Sequence, residues 1–491
     1  MLVEYVDLPA RERRLLIKDR TPILVAPDLT IDPRLVKYFA RSDFADRAAS
    51  GRVTYALEIK TWLAFLWARD MRWDEASEDE YIDFKRWRTD PDLHEPMVGE
   101  VPPVVTGATF MKARFALDHF YAWAKRQGHV SASPVPPDRA VGHPTRSPHG
   151  SSVRPQRSKW VTPNTYQTWR DVGLRGFRLE RSGKGVAPAA MEPKWRGGRS
   201  QQRDEAFCDL MITSAMRRGE QSTLLLYDVP GESVEVSLAR AVTKYNTTRV
   251  FTPLPDMLAK VQEYIFGGRD RALRRAQRAE RYEAFQQSTT LLIVDGVETK
   301  GSRLRYVLDT GIAGFVDDLD EAKRRRLFRR DDRGRLEPLS VWLGDDGIPM
   351  TPRGWNSVCR RADARVLREY QRLGLPPHTS ISLSPHSLRF SFALYLLAAL
   401  HRRIDERESY RASDSYDERR YEAAYDIVRD MLGHSRVATT KNTYLEPIKG
   451  MRRSVLFDTA SASEDLGALI SRLAVGADAI LDSGTVFEKV G

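Results

Sequence analysis

The chain has very little cysteine. Its 491 residues include two, Cys208 and Cys359, which lie far apart. This argues against a disulfide scaffold and a cysteine zinc site, and it fits a reducing compartment.

The longest apolar run, Phe392 to Leu400, is too short to span a bilayer. Charged residues 11–14 stand where a secretory signal would need an apolar core, so we expect a cytoplasmic protein with no membrane partner.

Glycine-rich phosphate loops of the Walker type and clusters with metal-ligand spacing are also missing, so we expect no cofactor and no metal. The sequence instead has an excess of positive charge, with a formal net charge of +11. Such an excess favours a polyanionic partner, most often nucleic acid. With 41% hydrophobic residues, the chain can bury sizeable cores, and its length favours two or three domains.

Helical periodicity dominates the first third of the chain. Apolar residues recur at helical spacing from Arg52. A second helix is predicted from Ser77, where Glu80 completes a capping box. A third runs from about Thr109 to Arg126, before a glycine at the expected C-cap position. The predicted result is a small all-helical domain over residues 51–130. Three cations of its third helix either contact DNA phosphates or form a solvated face: Lys112, Arg114 and Lys125.

The rest of the chain is predicted to form a linker followed by a larger, mostly helical domain. Residues 131–160 are rich in Pro, Ser and Gly, which is typical of a tether. Beyond them the pattern from Ser233 to Val242 predicts a strand, and residues 249–254 predict its hairpin partner. Arginine-rich stretches near 271–278 and 323–330 are interpreted as solvated faces.

Two short segments carry a candidate cation each. Arg217 lies near the predicted start of a helix, where a guanidinium can hold a phosphate through two parallel hydrogen bonds. Glu220, three residues later, is suited to hold that guanidinium, although an ordinary surface ion pair is the alternative. Lys244 follows the predicted strand at the tip of the hairpin and can reach into a cleft to donate a proton. A lysine in a turn is by itself a weak signal.

Two further segments add histidines, a second arginine and a nucleophile. His386 and Arg389 are three residues apart and share one helical face. His434 follows a Leu-Gly pair that predicts a helix end, and Tyr444 comes ten residues later in the sequence. A tyrosine becomes a nucleophile where cations stabilise its phenolate. Together the four segments suit metal-free attack on a phosphodiester, which needs cations, an acid and a nucleophile.

In this order, the four segments resemble the tyrosine recombinase (phage integrase) family over roughly residues 50–460. The resemblance implies that both arginines and His434 bind the scissile phosphate, and that Lys244 protonates the leaving 5′ oxygen. It also implies that His386 assists proton transfer at Tyr444, which takes the 3′ phosphate. The resemblance thus identifies a metal- and ATP-independent DNA strand transferase.

Four departures from the family pattern are visible. Ala215 stands where the family has glycine, and the stretch between Lys244 and His386 is long. An extra charged stretch, residues 402–420, lies between Arg389 and His434, and the gap from His434 to Tyr444 is one residue longer than usual. Long insertions favour a mobile-element integrase that integrates or excises DNA. A type IB topoisomerase-like relaxing enzyme and a non-catalytic DNA-binding accessory protein remain alternatives.

The expected fold is mainly α with a small β-sheet (α+β). Residues 463–481 predict an amphipathic helix, which by resemblance is exchanged between protomers of a homotetramer on double-stranded DNA; packing on its own domain is the alternative. The expected organisation is an unassigned extension (1–50), a helical core-binding domain (51–130), a linker (131–160), a catalytic domain with insertions near 265–335 and 402–420 (161–460), and a C-terminal helix and tail (461–491).

Overall fold

The structure is a computed structural model of the chain. It is mainly helical with a small share of strand, which confirms the expected α+β class. The chain divides into two compact units, residues 1–154 (the helical unit) and 155–491 (the large unit). The structure describes residues 21–45, 47, 49–94, 104–137, 160–182, 185–191, 200–214, 216–229, 236–238, 242–243, 249–251, 255–376, 380–409, 417–434, 437, 440 and 480–481.

The helical unit is built from five helices among its described residues. Ser77 caps the fourth through the predicted box, since its backbone N–H donates to Glu80 at 2.7 Å. Gly128 follows the last helix with φ +72°, a conformation that glycine adopts without steric cost. The helices are α1 (Pro33–Ala40), α2 (Ser42–Ala45), α3 (Ala49–Trp67), α4 (Glu78–Thr89) and α5 (Gly107–Arg126).

Aromatic rings fill the core of the helical unit. Trp62 of α3 donates its indole N–H to the Tyr121 hydroxyl at 2.8 Å, inside the core. Tyr38 of α1 is fully buried, with its ring centroid 5.1 Å from that of Phe120. Edge-to-face pairs at this distance add to the stability that area burial supplies. Residues 33–45, which the sequence pattern left unassigned, therefore belong to this core.

One predicted DNA contact in the helical unit needs correction. Arg114 of α5 is buried, and its guanidinium donates to the Pro136 carbonyl oxygen at 2.7 Å. This contact holds the start of the predicted linker, where Val135 is also buried, against the helix. Lys112 and Lys125 are exposed and remain candidate contacts.

All the strands among the described residues lie in the large unit, together with ten helices. Across the helices described in both units, none is long and apolar enough to cross a membrane. The helices of the large unit are α6 (Pro163–Trp169), α7 (Gln201–Thr213), α8 (Arg218–Ser222), α9 (Pro255–Tyr264), α10 (Asp270–Arg278), α11 (Arg281–Ser288), α12 (Glu321–Arg325), α13 (Pro352–Arg372), α14 (Pro385–Glu408) and α15 (Glu422–Leu432).

Four groups of strands accompany these helices. The predicted hairpin is present, since β4 and β5 pair antiparallel with Ser237 opposite Val250. A five-stranded sheet of order β10-β9-β6-β7-β8 lies between α11 and α13 in sequence. The strands are β1 (Trp160–Val161), β2 (Phe177–Ser182), β3 (Gly185–Met191), β4 (Val236–Leu238), β5 (Arg249–Phe251), β6 (Leu292–Lys300), β7 (Arg303–Leu308), β8 (Ala313–Phe315), β9 (Leu327–Arg330), β10 (Leu336–Pro338) and β11 (Ile480–Leu481).

The five-stranded sheet was not predicted. The outer part of β6, from Asp295 onward, is exposed on both faces, so it lacks the alternation that marks a half-buried strand. The sheet occupies much of the expected insertion near 265–335 and is followed by Trp342, which is fully buried and lies 5.3 Å, centroid to centroid, from Phe207 of α7. The insertion is therefore followed directly by a segment of the large unit's main core.

The interpretation of residues 323–330 as a solvated charged face is wrong for Arg324. This side chain is 1% exposed, and its guanidinium donates to Asp228 at 2.6 Å. It also donates to the backbone carbonyl oxygens of Thr223, Val316 and Leu319 at 3.2–3.3 Å. These bonds tie the sheet insertion to the C-terminal end of α8.

The predicted C-terminal helix is also wrong at its last two residues. Ile480 and Leu481 form β11, which pairs in parallel with Trp160 and Val161 of β1. The rest of the predicted helix, residues 463–479, lies outside the described residues. β1 in turn packs on α14, where the Val161 N–H donates to the Ser391 hydroxyl at 3.0 Å. The described end of the chain thus packs on its own large unit.

We predict that Arg324→Met lowers the free energy of unfolding by about 3–5 kcal/mol, because it leaves Asp228 buried without its cation. Urea unfolding followed by tryptophan fluorescence measures the loss. Lys323→Met, which removes an exposed neighbouring cation, is the control. The double variant Arg324→Met/Asp228→Leu should recover part of the loss; equal stabilities of the Arg324 variant and the control would contradict the prediction.

Candidate active site

Arg217 is placed by a short helix that the core holds on two sides. It is the N-cap residue of α8, and its backbone N–H donates to Glu220 at 2.6 Å. Gln221 of the same helix donates to the Phe207 carbonyl oxygen, and its own carbonyl oxygen accepts from the Trp342 indole, both at 2.7 Å. A five-residue helix has little stability alone, so these contacts determine where Arg217 lies.

Arg389 is placed by the first turns of α14. Ser384 caps this helix, with its hydroxyl accepting from the Ser387 N–H at 3.1 Å, and Pro385 occupies the first helical position. Proline suits that position because its missing N–H would have no partner inside the helix. Arg389 follows one turn later and is 1% exposed, so its cation lies inside the large unit.

Both guanidiniums meet at the C-terminal end of α15. Arg389 Nη2 donates to the Leu432 carbonyl oxygen at 2.5 Å, and Arg217 Nη2 donates to the same oxygen at 3.3 Å. Arg217 Nη2 also donates to the Gly433 carbonyl oxygen at 3.0 Å. The last carbonyls of a helix have no partner inside it and form the negative end of its dipole. The Leu-Gly turn therefore brings together two arginines that are remote in sequence.

Gly433 makes this helix end possible. Its φ of +62° lies in the left-handed region, and its N–H donates to the Asp430 carbonyl oxygen at 3.0 Å. The His434 N–H then reaches the Arg429 carbonyl oxygen at 3.1 Å. These two bonds form a Schellman-type cap. A side chain at position 433 would strain the turn that holds both arginines.

The cluster carries a net positive charge. Arg217 Nη1 donates to Glu220 Oε1 at 2.7 Å, and this glutamate is 2% exposed. Two guanidiniums thus share one carboxylate among these three side chains. A quarter of the Arg217 side chain remains exposed, so the cation can be reached from solvent. An anion bound here would meet the exposed part of Arg217, whose position is already held and whose guanidinium can bind phosphate through two parallel hydrogen bonds.

His434 continues directly from this cap. It is half-buried, and its Nδ1 lies 2.9 Å from the Thr440 hydroxyl. Thr440 is fully buried, which fixes one side of the imidazole ring.

His386 lies on the first turn of α14 and is exposed. Its ring packs edge-on against Phe390, with centroids 4.4 Å apart. The helix therefore presents His386 to solvent and Arg389 to the interior, three residues apart.

Two predicted site residues lie outside the described residues, namely Lys244 and Tyr444. Thr243, immediately before the lysine, is described and buried. Groups of three or more His, Cys, Asp or Glu side chains that could hold a metal are absent from the part of the chain that the structure describes. The predicted site residues that the structure describes are therefore Arg217, Glu220, His386, Arg389 and His434; hydrogen bonds join Arg217 and Arg389 to the end of α15 and Glu220 to Arg217, while His386 contacts Phe390.

Sequence reasoning missed the acceptors and the supports of this cluster. The Leu-Gly pair predicted a helix end, yet nothing in the pattern showed that its carbonyls accept from both arginines. The sequence pattern did not mark Thr440, because a threonine six residues after a histidine carries no signal by itself.

The α14–α15 packing holds the shared carbonyl in place, and a buried histidine lies within it. His401 of α14 stacks on Tyr421, with ring centroids 4.0 Å apart, and meets Tyr425 of α15 at 5.8 Å. Burial lowers the pKa of His401 to about 4. Because the charged form is disfavoured inside this packing, protonation opposes the contact between the two helices.

Comparison with known proteins gives structural neighbours only. No family model and no curated protein matches the chain. The chain is similar to the Tn1549 transposon integrase in complex with circular intermediate DNA, at 12% identity and a TM-score of 0.43, over 90% of this chain and 99% of that one. It is similar to the XerH site-specific recombinase bound to palindromic difH substrate, at 12% identity and a TM-score of 0.42, over 89% and 91%.

A lambda integrase dimer bound to a COC′ core site is a further neighbour, at 11% identity and a TM-score of 0.40, over 88% of this chain and 99% of that one. These neighbours are integrases and site-specific recombinases, the class that the order of the motifs resembles. Since their TM-scores lie below 0.5, we infer nothing about this chain's chemistry from them.

We predict that the free energy of unfolding falls by roughly 3 kcal/mol as the pH drops from 6.5 to 4. In this range His401 binds a proton in the unfolded chain, whereas burial keeps it largely neutral in the folded chain. Urea unfolding at a series of pH values measures this. His401→Leu should lose that share of the pH dependence, while His386→Gln, which removes an exposed histidine of the same helix, serves as the control. An unchanged profile in the His401 variant would refute the prediction.

Proposed function

We propose that the chain is a site-specific DNA recombinase that cleaves and rejoins strands through a covalent bond between Tyr444 and a 3′ phosphate. The observation that carries this proposal is the convergence of Arg217 and Arg389 on the Leu432 carbonyl oxygen, beside His434. Three motifs that are remote in sequence thereby form one cationic cluster. A phosphodiester in the transition state needs such preorganised donors around its nonbridging oxygens.

The proposed reaction is a transesterification. The Tyr444 oxygen attacks the phosphorus, and the bond from phosphorus to the 5′ oxygen breaks. Lys244 gives its proton to that leaving oxygen, while His386, exposed on α14, accepts the tyrosine proton. The 5′ hydroxyl of a partner strand then reverses the step and releases Tyr444. One phosphate ester replaces another at each stage, so the reaction needs no ATP.

The substrate we propose is double-stranded DNA, recognised through phosphates and base edges. The net charge of +11 supports a phosphate-rich partner. Lys112 and Lys125, exposed on α5, are proposed phosphate contacts of the helical unit. The long sheet insertion is the reason to propose integration or excision of a mobile element as the biological role.

We predict a covalent protein–DNA adduct that depends on Tyr444. Nicked duplexes that tile the DNA on both sides of the coding gene are incubated with the protein and EDTA, then quenched with SDS. Wild type should yield a slow-migrating adduct on some duplexes, and Tyr444→Phe should yield none because it lacks the attacking oxygen. Tyr425→Phe, which alters a buried tyrosine before His434, is the matched control.

Other outcomes of this experiment are equally informative. An adduct that persists in Tyr444→Phe means that another residue is the nucleophile. DNA binding without an adduct on any nicked duplex means a non-catalytic DNA-binding protein. Relaxation of a supercoiled plasmid that contains none of the reactive duplexes means a topoisomerase-like enzyme.

We also propose that the protein acts as a homotetramer on DNA, assembled through its C-terminal segment. The support is the position of β11, which pairs with β1 at a site packed on the helix that bears Arg389. The same edge of β1 would accept the strand of another protomer. An exchange of this kind replaces a contact within one chain by an identical one between chains, at low energetic cost.

Truncation after Pro447 tests this assembly. We predict that the truncated chain binds a reactive duplex but forms no tetramer, because β1 then has no strand to receive or to offer. Analytical ultracentrifugation on fluorescent DNA measures the stoichiometry, with the full chain as control. A tetramer formed by the truncated chain would rule out the C-terminal segment as the connection.

A further inference from the structure

The two ends of the short helix α8 are held by different parts of the chain. At its start stands Arg217, whose guanidinium reaches the last carbonyl oxygens of α15. At its end stands Thr223, whose carbonyl oxygen accepts from the guanidinium of Arg324 at 3.3 Å. Arg324 belongs to the sheet insertion and lies 101 residues after Thr223 in sequence. A helix of five residues is not stable by itself, so a contact at its end helps to decide where its first residue lies.

Four acceptors fix the guanidinium of Arg324 in the interior, where its side chain is 1% exposed. Nη1 donates to Asp228 at 2.6 Å, in addition to the Thr223 carbonyl oxygen. Nη2 donates to the carbonyl oxygen of Val316 at 3.2 Å, and Nε donates to that of Leu319 at 3.3 Å. Because a guanidinium is a rigid planar fork of donors, these bonds fix the end of α8 relative to the insertion.

Asp228 extends this contact to the residues that follow α8. The same Oδ2 atom that binds Arg324 accepts from the Leu225 N–H at 2.8 Å. The next residue, Leu226, donates its N–H to the Leu339 carbonyl oxygen at 2.9 Å. The chain that leaves α8 is thus bound to the insertion and to the segment behind it, and Arg324 joins this network to the last turn of α8.

Loss of the Arg324 guanidinium would act on both ends of the helix. The Thr223 carbonyl oxygen, on a residue that is 2% exposed, would lose a charged donor. A cation at this end also stabilises the negative pole of the helix. At a rise of about 1.5 Å per residue, roughly 8 Å of helix separates this end from Arg217. A shift of the end therefore moves Arg217 as well.

We propose that Arg324 is a positioning residue for Arg217: it fixes the end of α8 through Thr223, and α8 in turn fixes the guanidinium that meets the scissile phosphate. This inference rests on the proposed function, because that function gives Arg217 a phosphate to bind. Arg324 touches no reacting atom, since it is buried among its four acceptors. The sheet insertion thereby takes part in strand cleavage through a single buried side chain.

The first test compares cleavage rates with stabilities. Single-turnover adduct formation on a reactive nicked duplex is measured at saturating protein, at a temperature where every variant is folded. Arg324→Met leaves Asp228 buried without its cation, whereas Arg324→Met/Asp228→Asn removes that charge and should regain stability. Neither variant has the bond to Thr223. We expect both to react about 10- to 100-fold more slowly than wild type, because a catalytic group displaced by about 1 Å can cost a factor of roughly 100.

Two further variants serve as controls. Arg203→Met removes another buried arginine of the large unit, which donates to Asp204 and to the Leu343 carbonyl oxygen. It should lower the stability and leave the rate nearly unchanged. Arg324→Lys keeps a cation for Asp228 but lacks the planar fork that also reaches Thr223. It should be more stable than Arg324→Met and still slower than wild type.

The second test changes the substrate. A methyl group in place of one nonbridging oxygen makes the scissile phosphate neutral, so a cation beside it contributes less to the rate. If Arg324 acts through Arg217, most of the slowing caused by Arg324→Met should disappear on this methylphosphonate duplex. A variant that is slow because fewer molecules are folded would be slow by the same factor on both duplexes.

Amide hydrogen exchange of the full-length protein, without DNA, measures the hold on α8 independently of any reaction. Peptides that cover residues 217–224 should exchange faster in Arg324→Met/Asp228→Asn than in wild type, and peptides of α13 should exchange alike. Unchanged exchange in α8 would overturn the positioning role. Rates that simply follow stability, or equal slowing on both duplexes, would overturn it as well. If wild type forms no adduct on any duplex, the proposed function fails, and the exchange data still decide whether Arg324 holds α8.

Discussion

The carbonyl oxygen of Leu432 accepts hydrogen bonds from two guanidiniums, those of Arg217 and Arg389. This contact depends on how three helices of the large unit, α8, α14 and α15, are capped and packed. The helix α15 must end at that residue, which the left-handed Gly433 permits. Arg389 must be buried beside it, which the capped first turns of α14 achieve. Arg217 caps the start of α8, a five-residue helix that contacts from the core must stabilise. Two like charges at one oxygen are tolerable because Glu220 and the helix dipole offset them.

The support for α8 comes from parts of the chain that look peripheral in sequence. Trp342 follows the sheet insertion and donates to the Gln221 carbonyl oxygen of α8, and Arg324 of the insertion donates to the carbonyl oxygen of Thr223, the residue that caps the end of α8. Arg324 also pairs with Asp228 in the interior. Removing one partner of such a pair is costly because the other charge stays buried. The insertion is therefore coupled through α8 to the cluster of Arg217 and Arg389, although it contributes no residue to that cluster.

Local patterns predicted the elements that local physics determines. The capping box at Ser77, the helix end at Gly128 and the hairpin of β4 and β5 each depend on residues within a few positions, and each is present. The sheet over residues 292–338 was missed, because the exposed half of β6 shows no alternation. Arg324 was misread, because its partner Asp228 is 96 residues away in sequence and a run of cations gives no hint of which one turns inward.

The order and chemistry of the motifs were readable from the sequence, because residue type determines which groups can bind phosphate, carry a proton or attack. The sequence also determined where several helices begin and end, since capping is a short-range interaction. Only the tertiary structure decided that Arg217 and Arg389 meet at one carbonyl oxygen and that Arg324 pairs with Asp228. Those contacts depend on packing between remote segments, and the free energy that selects one packing over another belongs to the whole core and to no local pattern.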